Sequence, residues 1–140
     1  MGQETLESKV HKFQEYLDEL GPYMVLEDKE ILDNKEKLFT VERIFQLLVD
    51  EAIDINSNIL YSNKRKVSDS YKSSFYDLAS INIMDYSFAD RISGSAGLRN
   101  NIVHDYEKMQ KKDVVRDIKK FFELYKEYIK LLVNKFVIKK

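Results

Sequence analysis

The chain has no cysteine, and only one proline and four glycines in 140 residues. The first absence excludes disulfide scaffolding, thiolate metal sites and cysteine nucleophiles, and it is compatible with a reducing cytoplasm. The scarcity of helix breakers, with apolar residues recurring at spacings of three and four, predicts helix nearly throughout. No stretch approaches the roughly 18 consecutive apolar residues that a membrane-spanning helix needs. The segment Met1-Gly2-Gln3-Glu4-Thr5-Leu6-Glu7 is polar and acidic rather than basic and then apolar, so no secretory signal is expected and the chain reads as cytoplasmic. An excess of charge of one sign is missing too: 23 basic side chains balance 24 acidic ones, so no global field draws a polyanion. Nucleic-acid binding then has to be local. The candidate patches are Lys64-Arg65-Lys66, Lys111-Lys112, Lys119-Lys120, and Lys135, Lys139 and Lys140, each of which also suits a solvated helix face or loop.

Several signatures are absent as well. No glutamate stands three residues before either histidine, as di-iron helical bundles require, and no helix carries a histidine pair. The chain has no glycine-rich phosphate loop, no Gly-x-Ser-x-Gly and no nucleotidyltransferase signature, so neither a metal nor a cofactor is expected.

What is present is amphipathic helix. Leu6, Val10, Phe13, Leu17 and Leu20 make a first stripe, which Gly21-Pro22 should stop, since proline lacks an amide donor and disfavours a helical residue before it. A second helix begins between Asp28 and Thr40 and runs to about Leu60. It carries two adjacent apolar rows, Val41, Ile44, Leu48, Ala52, Ile55 and Ile59 beside Phe45, Val49 and Ile53. A stripe that wide implies burial on more than one side, at the centre of a bundle or partly against another chain. Glu51, Asp54 and Asn58 form a polar row on the same helix, either a salt-bridged seam or part of a site.

Ser62 to Ser70 reads as a loop, Tyr71, Phe75 and Leu78 open a third, shorter helix, and Asp85 suits the cap of a fourth. A polar stretch from Glu107 to Lys112 precedes a last helix starting near Asp113 as N-cap, with apolar positions from Val115 to Phe136. The expectation is one all-α domain over residues 1–140, an up-and-down bundle of about five helices.

Near the end of the fourth helix stands Arg99-Asn100-Asn101-Ile102-Val103-His104-Asp105-Tyr106, with one of only two histidines. Arginine is a permanently charged fork that matches phosphate oxygens, and an imidazole moves protons near neutral pH. Asn100, four residues before His104, is placed to orient the ring or to hold a phosphate oxygen. On a regular helix, however, Arg99 and His104 lie about 140° apart, so an unwound helix, a long arginine reach or a second subunit must bring them together. Each residue also has an ordinary role: Arg99 in an ion pair with Asp90 or Asp105, Tyr106 as a half-buried aromatic, His11 as a structural side chain of the first helix.

The octet reads R-N-x-x-x-H-x-Y and resembles the R-x-x-x-x-H-x-Y motif of the HEPN superfamily, in the version carried by HepT-like toxins of HEPN/MNT toxin–antitoxin systems. Leu98, Gly94, Gly97, the helix from Val41-Glu42-Arg43 to Ile55 and the chain length are similar too, so the resemblance covers most of the chain, and the two glycines are expected to permit close backbone approach just before the motif. It implies a HEPN-like homodimer in which two motifs meet across a two-fold axis to make a metal-independent endoribonuclease. In that role Arg99 and His104 are catalytic, with Asn100, Asp54 and Glu51 supporting substrate. The resemblance further implies that Tyr106 receives AMP from an MNT nucleotidyltransferase antitoxin that uses ATP, placing bulk and negative charge at the RNA-binding cleft. The rival expectation is a non-catalytic HEPN subunit that binds nucleotide or partner in a nucleotidyltransferase complex; near-neutral net charge suits it slightly better.

Overall fold

The computed structural model describes residues 5–66 and 68–136, and among them the regular structure is helical. Short polar side chains fix the helix starts by accepting from backbone amides that a first turn leaves unpaired. Thr5 caps α1 (Leu6–Met24), Asn34 caps α3 (Lys35–Ser62), Ser70 caps α4 (Tyr71–Ser80) in a capping box with Ser73, and Asp85 caps α5 (Tyr86–His104). A short α2 (Asp28–Leu32) precedes α3, a 3-10 turn (Tyr106–Lys108) follows α5, and α6 (Lys111–Phe136) closes the bundle. The six α-helices exceed the expected five by α2, whose five residues are too few to show a period.

Two helix boundaries differ from expectation. Helix α1 continues through Pro22 to Met24, because the residue before the proline is Gly21, which has no Cβ to clash with the pyrrolidine ring. Helix α6 starts at Lys111, where the Gln110 carbonyl accepts from the amides of Asp113 and Val114. Asp113 therefore sits inside the first turn and pairs with Arg116 at 3.1 Å instead of capping.

The wide apolar face of α3 makes it the hub, touching each of the other five α-helices. Ion pairs Lys9–Asp54 and Lys12–Glu51 run α1 antiparallel to it, and Phe45–Phe121 and Tyr128–Ala52 run α6 parallel to it. The long helices thus alternate up and down. At the centre Phe13, Phe75, Tyr125 and Tyr128 pack with ring centroids 5.4 to 6.5 Å apart. Burial pushes both phenols upward, and each hydroxyl is bonded. Tyr128 donates to Asn56 at 2.7 Å, Asn56 to Ser74 at 2.9 Å and Ser74 to the Tyr71 carbonyl at 2.8 Å. Tyr125 bonds Ser95 at 2.6 Å. These contacts tie the start of α4 and the middle of α5 to α3 and α6.

Gly94 allows α5 to approach α6 closely: a Cβ there would lie 3.1 Å from the Phe121 ring. Gly97, expected to serve the same end, faces open space. Of the basic patches, Lys119 pairs with Asp28 of α2 at 2.5 Å and Lys135 donates to the Asn82 carbonyl at 3.0 Å, so both serve the fold. Lys139 and Lys140 lie outside the described residues.

Helices α3 and α4 each close with a Schellman motif. After α3 the amide of Arg65 bonds the Leu60 carbonyl and that of Lys64 the Tyr61 carbonyl, and Ile83 and Asn82 do the same after α4. The motif needs a left-handed residue, supplied by Lys64 at φ 57° and Asn82 at φ 65°. Asparagine visits that region readily, whereas lysine is strained there. Lys64→Gly should therefore raise unfolding free energy by about 1 kcal/mol in urea denaturation, with no change in helical content.

Candidate functional site

Arg99 projects from α5 onto α3. Its Nε donates to Asp50 Oδ1 at 2.9 Å and its Nη2 reaches Asp50 Oδ2 at 3.5 Å. Its Nη1 donates to Asn100 Oδ1 at 3.3 Å, and the guanidinium lies 5.3 Å from the centre of the Tyr71 ring. The arginine side chain is only 16% exposed, so its direction is set by these partners. His104 is the last residue of α5 and stands exposed in solvent; the amide of Asp105 closes the helix on the Asn101 carbonyl at 2.8 Å. The helix stays regular across the motif, so Arg99 and His104 remain about 140° apart around its axis.

Sequence reasoning missed Asp50. The ion-pair alternatives it offered are engaged elsewhere: Asp90 accepts from Tyr76 at 2.6 Å, and Asp105 is the C-cap. Glu51 and Asp54 turn to α1, where they meet Lys12 at 3.8 Å and Lys9 at 3.1 Å. The structure brings neither to Arg99. Asn100 contacts Arg99 rather than the imidazole. The sole signal for Asp50 was its place in an acidic cluster on a helix apolar on two rows, and the contact spans 49 positions, beyond any local pattern.

Tyr106 begins the 3-10 turn beyond α5. Its position and that of Asp50–Arg99 follow one antiparallel register, in which going back along α3 from Asp50 to Glu42 corresponds to going forward from Arg99 to Tyr106. The Tyr106 hydroxyl is buried facing Glu42, which is itself only 5% exposed. The two groups shift each other's protonation, but Tyr106 Oη and Glu42 Oε2 complete no well-formed hydrogen bond. Burial first, and then Glu42, push the phenol up to about 12. Burial holds the Glu42 carboxyl above its ordinary value, partly offset by Tyr106 and Lys111. The Lys111 ammonium sits 3.6 Å over the Tyr106 ring and donates to the Tyr106 carbonyl at 3.0 Å. Beside them Phe39, Arg43, Gln46 and Ile102 line a shallow depression of ≈ 340 Å³. Among the described residues, no group of three His, Asp or Glu side chains is placed to hold a metal ion.

The family model described as Ribonuclease HepT-like matches residues 13–132. The chain belongs to the HepT-like ribonuclease family. A curated relative, the tRNA nuclease HepT of Aphanizomenon flos-aquae (strain 2012/KM1/D3), is 29% identical over 133 residues, covering 95% of this chain and 90% of that protein. Two solved structures share the fold. One is the complex of tri-AMPylated Shewanella oneidensis HEPN toxin with MNT antitoxin, with TM-score 0.81 at 20% identity, covering 93% of this chain and 98% of the matched one. The other is a toxin–antitoxin with AMP-PNP, with TM-score 0.72 at 17% identity, covering 92% and 98%. As a HepT-like ribonuclease the chain is an RNA-cleaving enzyme, and among its described residues no helix is long and apolar enough to cross a membrane.

The Glu42 environment predicts a definite sign of pH dependence. A carboxyl held above its unfolded value favours the protonated fold, so its contribution to stability is lost as pH rises through the raised value. Glu42→Gln should gain stability relative to the unsubstituted HepT-like chain as pH rises above the ordinary glutamate value, measured by urea midpoints across a pH series. A parallel pH profile for both proteins would show that Glu42 titrates as it does in the unfolded chain.

Proposed function

We propose that this chain is the toxin of a HEPN/MNT toxin–antitoxin pair: a homodimeric, metal-independent endoribonuclease with a composite Arg99–His104 site, neutralised by AMPylation of Tyr106. The observation that carries the reading is the divergence of the two side chains on one regular helix. Arg99 is turned inward and oriented by Asp50 and Tyr71, while His104 stands free at the helix end. Two copies facing each other supply what one helix cannot, an arginine from one motif beside a histidine of the other, with a second histidine left over. The names of the curated tRNA nuclease and of the HEPN toxin complex support this assignment.

The chemistry is transesterification. One imidazole takes the ribose 2′-hydroxyl proton, the 2′-oxygen attacks phosphorus, and the other imidazole protonates the departing 5′-oxygen. Arg99 donates to the phosphorane oxygens: Asp50 and Asn100 take the Nε–H and one N–H of each Nη, and the second N–H of each Nη is left to face substrate. Asn100 steadies the guanidinium from the side. An MNT nucleotidyltransferase using ATP is the partner, and its AMP adds negative charge beside Arg99.

One observation favours the rival, a non-catalytic subunit that binds nucleotide or partner: Asp50 already neutralises the Arg99 charge within the chain. The two readings separate in an RNA-cleavage assay with purified protein. His104→Ala and Arg99→Ala should each lower cleavage by at least roughly a hundredfold with helical content intact. Cleavage that survives in both variants removes these residues from the mechanism, and a wild-type chain that cuts no RNA supports the rival.

A further inference from the structure

We propose that Glu42 and Lys111 are positioning residues that seat Tyr106 and, through the turn it begins, hold His104 in place, and that AMPylation acts by keeping this seat empty; the second half rests on the assignment of Tyr106 as the modified residue. Two residues form the seat. Glu42 lies against the hydroxyl, Lys111 covers the ring at 3.6 Å, and the same ammonium holds the carbonyls of Tyr106 at 3.0 Å and Met109 at 3.5 Å. Lys111 therefore clamps both ends of the 3-10 turn to the start of α6. His104 stands two residues before Tyr106, joined to it only through the C-cap Asp105.

Adenylylation joins Tyr106 Oη to the α-phosphorus of ATP, breaks the bond to pyrophosphate and releases the phenol proton to solvent. In the closed seat Oη is enclosed, so the tyrosine must first swing out. Once modified, it carries a phosphodiester charge that cannot return to the buried position of the hydroxyl beside Glu42 without being left there unpaired. The turn then stays open, the clamp on Met109 and Tyr106 is lost, and the end of α5 loses its anchor at His104. Modification in this way disables the imidazole by moving backbone, in addition to any charge it brings to the cleft. The population of the open turn also limits how fast Tyr106 is modified, because only that fraction offers its hydroxyl.

The test uses the full chain carrying Lys111→Met, which keeps the apolar stem, and separately Glu42→Ala, each checked for helical content. Loss of the clamp should speed amide hydrogen exchange over residues 105–109 by roughly tenfold, since charge-assisted hydrogen bonds are removed. RNA cleavage should lose kcat with KM near wild type, and adenylyl uptake followed by intact mass with the cognate nucleotidyltransferase should be faster. Wild-type chain carrying AMP should exchange as the open variants do. Unchanged exchange and kcat in folded Lys111→Met, or a turn that stays protected after AMPylation, overturns the proposal. If wild-type protein neither cuts RNA nor takes up AMP, the toxin assignment fails on its own account, and the exchange comparison of Lys111→Met with wild type still decides the seat.

Discussion

Asp50 holds Arg99 across the α3–α5 interface, and the remaining features of the site are arranged around that pair. With side chains 33% and 16% exposed, the two charges are partly withdrawn from water. Taking a charge out of water is costly unless it is paired and hydrogen-bonded, and here both conditions are met through the Nε edge. The aromatic face of Tyr71 adds an attraction to the cation from below. What results is a guanidinium whose direction is fixed by its partners within the chain. The same pairing weakens the long-range field of the arginine.

Tyr71 is where fold and site meet. Its carbonyl accepts from Ser74, which accepts from Asn56, which accepts from Tyr128, so a buried polar thread from α6 through α3 sets the start of α4 and with it the ring under Arg99. Helix α3 divides its polar residues between two neighbours: Glu51 and Asp54 bind lysines of α1, whereas Asp50 and Glu42 meet Arg99 and Tyr106. The first pair secures the bundle. The second borders the motif.

Helix content, helix order and the motif's place at the end of α5 were legible because each depends on local pattern: period, capping side chain, apolar spacing. The breadth of the α3 stripe foretold its central position. Asp50, Glu42 and Tyr71 were not legible, since each acquires its meaning from a partner many residues away, and a carboxylate on a helix looks alike whether it faces a lysine or an arginine. Glu51 and Asp54 shared the composition of Asp50 without sharing its direction. Pro22 and Gly97 misled for a related reason: the effect of a breaker or a small residue depends on what stands beside it, Gly21 in one case and empty space in the other.

The dependence of the motif on α6 has a consequence during synthesis. Asp50 and Arg99 emerge from the ribosome well before Tyr128 exists to bond Asn56, or Phe121 to pack on Gly94. Until that final helix is translated and docked, α3 exposes a broad apolar flank and α5 lacks the surface it leans on. The surface that supports the motif is thereby completed only once the last helix has been made.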